Sequence, residues 1–105
     1  MLLSPELMCI VKNYLDITWE DKAADVKLED MIKRNMVAID RVGGRAFDYE
    51  SELKAQELLL NRIMYERSGA LDDFSRNYAS DLLELQLDER VARYAEDQEA
   101  TISNF

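Results

Sequence analysis

A chain of 105 residues with one proline and three glycines offers few places where a helix must stop. The four fall at position 5, at the pair 43–44 and at 69, so the stretches between them run uninterrupted. Within those stretches apolar residues recur at steps of three and four, the period of a helix with one buried face. The expected fold class is all-α: a small bundle of about four helices with a C-terminal tail or arm. The length fits one domain.

Ser4-Pro5-Glu6 opens the first helix, because serine accepts from orphan backbone N–H groups and proline at the first position has none to lose. Leu7, Met8, Ile10, Val11, Tyr14 and Leu15 then form a broad apolar face. Cys9, the single cysteine, lies among them and reads as a core thiol. With no internal disulfide possible, a reducing intracellular setting is expected. The segment "TWED" starts helix two, with Thr18 as cap and Asp21 reaching back. Leu28, Met31, Ile32, Ile39 and Val42 share its inner stripe, and Gly43-Gly44 ends it. Asp48 is the expected cap of helix three, which spans about Tyr49 to Arg67. Leu53, Leu58, Leu59, Leu60, Ile63 and Met64 surround its axis, so it reads as the central helix. Ser68-Gly69 stops it, and Leu71, Phe74, Tyr78, Leu82 and Leu85 give helix four one continuous stripe.

Composition changes after Leu87. Residues 1–87 read as the helical domain and 88–105 as an acidic tail, with five acids against two arginines. Val91, Tyr94, Ala95, Ile102 and Phe105 would share a face if that segment were helical. It is either flexible or ordered on a partner.

Chemistry is mostly excluded. There is no histidine, which removes the usual general base and imidazole ligand. No phosphate loop or calcium loop is present. Asp21, Asp25 and Glu29 lie four apart but read as a solvated helix face rather than a metal site. Adjacent Asp72 and Asp73 diverge on a helix. No enzyme activity, metal or cofactor is expected. Trp19, Phe47, Tyr65, Phe74 and Tyr78 read as core or helix-seam aromatics, and the five methionines as core filler. No apolar run is long enough for a membrane. A net charge of −9 argues against a free-standing nucleic-acid binder, since that grip comes from lysine and arginine on phosphates. It is compatible with a surface that DNA passes without sticking.

The order "ITWEDKAADVKLEDMIKRN", then a glycine pair, then "YERSGALDDFSRNYASDLLEL" resembles the head–tail connector (adaptor) proteins of long-tailed bacteriophages and prophages. The motif positions are Trp19, Asp21 and Asp25, then Tyr65, Gly69, Asp72, Asp73, Phe74 and Tyr78; the likeness runs to Leu87. The resemblance implies a non-catalytic helical bundle that forms a ring, dodecameric on the virion, under the portal protein. That ring would extend the DNA channel and meet the next head-completion or tail protein at the head–tail junction, after assembly in the host cytoplasm. A ring of identical subunits needs two different faces that meet. Ala23, Val26, Met36 and Val37 on helix two, with Phe74 and Tyr78 on helix four, are the candidate subunit interface, and acids of helix two or of the loop after it are candidates to face the channel. The alternative is an acidic helical regulatory module that binds a basic protein or mimics DNA.

Overall fold

Ser4 and Pro5 open a helix as their chemistry requires. The Ser4 hydroxyl accepts from Leu7 N at 3.1 Å, and proline occupies the first helical position. The computed structural model describes residues 3–103, of which residues 99–103 are described by backbone alone. In chain order the elements are α1 (Pro5–Tyr14), α2 (Lys22–Gly43), α3 (Leu53–Arg67), α4 (Leu71–Asn77) and α5 (Ala79–Ser103). The described residues contain no strand, so the all-α expectation holds.

Helix α2 starts three residues later than a Thr18 cap would place it. Asp21 is itself the cap, and its Oδ1 accepts from Ala23 N at 3.1 Å and Ala24 N at 3.3 Å. A carboxylate answers the positive helix end better than a hydroxyl does. The chain reaches Asp21 through a turn in which Asp16 takes a φ of 58° and Ile17 N donates to Lys12 O at 2.9 Å. Trp19 is thereby outside the helix and 59% exposed, not a seam residue.

The two glycines that end α2 do different jobs. Gly44 takes the left-handed conformation, φ 79°, and its N–H donates to Asp40 O at 2.8 Å. Gly43 lies under the Phe47 ring, where any β-carbon would overlap the aromatic carbons. The loop that follows is built on side chains. Asp48 accepts from Glu50 N at 3.2 Å and from Ser51 Oγ at 2.8 Å, while Glu52 accepts from Asp48 N at 2.6 Å. Asp48 thus closes a turn rather than capping a helix, and α3 begins at Leu53 instead of Tyr49. Leu53 is exposed as a result. Tyr49 is buried instead, its hydroxyl donating to Asp40 Oδ1 at 2.5 Å with Met36 O a further acceptor at 3.1 Å. Burial and then that carboxylate push its phenol well above the usual range.

The core centres on α3, as its all-round apolar pattern implies. Ala55, Leu58, Leu59, Leu60 and Ile63 pack with Leu28, Ile32, Met36 and Ile39 of α2, with Leu7 and Val11 of α1, and with Leu85 of α5. Cys9 points outwards and is exposed, so it is not a core thiol; α1 gives the interior only its Leu7 and Val11 line. Among the described residues, Asn35 is the amide or charged side chain buried in the core. It is fully buried, its Nδ2 donating to Met31 O at 2.7 Å and to Glu66 Oε2 at 2.8 Å. Its Oδ1 accepts from Arg62, whose guanidinium is lowered by desolvation.

The Tyr65–Tyr78 stretch is a helix joint closed by rings. Gly69 turns it, at φ 69°. Phe74 stacks on Tyr78 at 4.8 Å, and Tyr65 meets both edge-on at 5.7 and 5.8 Å. The apolar stripe from Phe74 to Leu85 is continuous, but the helix is not: Tyr78 leaves helical geometry and separates α4 from α5. Beyond Leu87 the backbone stays helical to Ser103, so the change in composition there is no break in structure. The Ile102 side chain and Phe105 lie outside the described residues.

Gly43→Ala is expected to cost about 1–3 kcal/mol, the range for overpacking a filled site, measured by urea denaturation.

Candidate functional site

The acids that spacing singled out are each taken by a different partner. Asp21 caps α2, Asp25 pairs with Lys12 of α1 at 2.9 Å, and Glu29 pairs with Lys33 at 3.1 Å. Asp73 pairs with Arg76 within α4, and Asp72 is exposed beside it. Among the described residues no three potential ligand side chains converge on a metal-sized site. Of the motif positions, the structure brings Tyr65, Phe74 and Tyr78 together around the turn at Gly69. Trp19, Asp21 and Asp25 sit at the separate α1–α2 corner.

Among the described residues the outward apolar side chains gather mainly on α2 and α5, with Leu53 and Met64 of α3 and Trp19 at the α1–α2 corner also exposed. On α2, Val26 and Val37 are 60% and 50% exposed. Eleven residues apart, they lie almost on one line of the helix, opposite the Leu28, Ile32 and Ile39 stripe, with exposed Ala23 beside them. Met36 and Phe74, offered above for the same interface, are buried in the subunit's own interior, at 6% and 2% exposed, and Tyr78 is half-buried. The fourth-helix stripe is thus turned inwards.

The second face is on α5: Leu83, Leu87, Val91 and Tyr94, between 46% and 68% exposed. Their steps of four, four and three keep them within about a quarter of the helix circumference, on the side away from Leu82 and Leu85. The sequence contains those steps, but the acids around them made the segment read as a tail, and Leu83 and Leu87 were overshadowed by the inner stripe.

Charge divides between the two faces. The exposed ionisable side chains of α2 are Lys22, Lys27, Arg34 and Arg41 against Asp30. On α5, up to residue 98, they are Glu84, Asp88, Glu96 and Asp97 against Arg90 and Arg93. Bases therefore prevail among the exposed charges of α2, with Asp30 exposed and Asp25 and Glu29 partly exposed in their ion pairs.

A groove opens beside Trp19, lined also by Ile17, Leu28, Met31, Lys27 and Arg67, with a volume of about 210 Å³. Small-molecule sites run to roughly 300–1,000 Å³, so this space suits one side chain rather than a cofactor.

Arg45 fixes the direction of α5. Its guanidinium donates to Glu89 of α5 through Nε at 2.7 Å and Nη2 at 2.9 Å. It also pairs with Glu52 beside α3 and lies 4.2 Å from the centre of the Phe47 ring. Bidentate geometry and a shared network give such a cluster weight that isolated surface pairs lack. The bonds to Glu52 and Glu89 hold the guanidinium well above its ordinary pKa, and the Arg45 bond depresses the Glu52 carboxyl. Lys54 of α3 adds a pair with Glu84 at 2.7 Å. Sequence reading missed this cluster because Glu89 lies 44 residues from Arg45.

No protein-family model, curated protein or solved structure matches the chain.

A carboxyl whose folded pKa is depressed stabilises fully above its unfolded value, and that contribution fades as pH falls through the folded one. Stability is expected to drop as pH goes from about 5 to below 4, and Glu52→Gln to flatten that part of the profile in urea titrations.

Proposed function

We propose that the protein is a structural head–tail adaptor of a tailed phage or prophage, acting by assembly under the portal rather than by catalysis. The observation that carries this reading is the pair of outward apolar faces on α2 and α5. Two distinct faces are what a ring of identical subunits requires. The motif resemblance supplies the setting: portal above, the next head-completion or tail protein below, DNA passing without specific binding. The regulatory or DNA-mimic alternative calls for carboxylates spread over one surface. Here the exposed charges of α2 are mostly basic, which favours an assembling protein over one with a uniformly acidic surface.

The test is recruitment. Added to DNA-filled, portal-bearing heads purified without their completion proteins, the protein is expected to co-sediment with them and to appear as a collar under the portal in negative stain. Heads that stay bare at saturating protein would refute the adaptor reading.

A further inference from the structure

We propose that the groove beside Trp19 is a docking site for a segment of a partner protein in which one large apolar side chain stands between carboxylates. This goes beyond the assembly reading and does not depend on it.

The groove is fixed before anything enters it. Trp19 belongs to the short connection between α1 and α2, and that connection is tied at both ends. On one side Asp16 takes the left-handed conformation, φ 58°, and Ile17 N donates to Lys12 O at 2.9 Å. On the other the Asp21 carboxylate accepts from Ala23 N and Ala24 N. The indole is thereby held beside α2 with 59% of its surface exposed, and Ile17, Leu28 and Met31 line the groove with it. Walls set in advance lose little freedom on binding, and tryptophan is enriched among the residues that carry interface energy.

Size and charge then choose the occupant. A volume of about 210 Å³ lies below the range of small-molecule sites and suits a single leucine or phenylalanine side chain. Lys27 of α2 and Arg67 in the last turn of α3 are the basic residues of the lining, and both are exposed. Among the described residues neither has an ion-pair partner. Asp25 is the acid of the lining, and Lys12 holds it at 2.9 Å. Asp16 and Glu20 are exposed in the connection but do not line the groove. An apolar side chain entering here is therefore met by two unpaired cations from two helices, while the lining carboxylate is already taken. Acidic neighbours on the entering segment satisfy those cations, and basic ones would face like charge.

Trp19 is the chain's single tryptophan, so its fluorescence reads the groove directly. The experiment titrates the full chain with the blocked peptide EEFEE, with KKFKK and EEAEE as controls. Physiological ionic strength confines the repulsion from the net charge of −9 to within about 8 Å. EEFEE is expected to shift Trp19 emission saturably, and each control to bind at least about tenfold more weakly. Lys27→Glu and Arg67→Glu, both at exposed positions, should each weaken EEFEE by about tenfold with the circular dichroism unchanged. The proposal is overturned by the absence of a saturable shift up to about 10 mM EEFEE, by KKFKK binding as well as EEFEE, or by charge-reversed variants that bind normally. A Trp19 shift that follows the protein's own concentration without peptide, together with a rise in sedimenting mass, would assign the groove to a second copy and overturn the partner assignment. Recruitment to heads is measured without these peptides, so failure of either experiment leaves the other reading standing.

Discussion

One guanidinium holds the architecture in register. Arg45 leaves α2 just past its glycine stop, rests on the Phe47 ring, and binds a carboxylate beside α3 and another on α5. Elements 7 and 44 residues away in sequence are joined at a single side chain. The arrangement depends on Gly43: only with no β-carbon there can Phe47 lie against the end of α2 and present its face to the arginine. Lysine would not replace it, because a point charge lacks the planar fork that grips Glu89 through two nitrogens.

The fold was legible wherever the deciding interaction is local. Ser4, Pro5, Gly44 and Gly69 act within a turn of their own position, and the apolar wheel of α3 needs no partner to be read. Misreadings came where two local solutions compete. Thr18 and Asp21 can both cap, and charge settles the matter. Asp48 can cap a helix or close a turn, and burial of Tyr49 against Asp40 settles that. Tyr78 sits on a continuous apolar stripe, so periodicity could not show that the backbone departs from the helix there. Cys9 and Trp19 were placed inside by the company they keep, but a short helix and a loop each had only one side to bury.

Of the candidate surfaces, the α2 valines were visible in the sequence because they stand opposite a clear core stripe. The α5 face was not. Leu83 and Leu87 alternate with core-facing Leu82 and Leu85, and the run reads as one broad apolar helix until the structure shows which side packs. The charge pattern was hidden as well: a net −9 averages over α2, whose exposed charges are mostly basic, and α5, whose exposed charges are mostly acidic, and a total cannot report how its parts are distributed.

Asn35 has a different consequence. A purely apolar seam between α2 and α3 would allow one helix to slide past the other by a turn, about 5.4 Å, with little change in buried area. Asn35 forbids it. A shift in either direction would carry its amide away from Glu66 and Arg62 and leave that amide unpaired in a dry interior. A single amide among aliphatic neighbours therefore acts as an index mark. It does little to draw the helices together, but it makes one alignment of them much better than its neighbours.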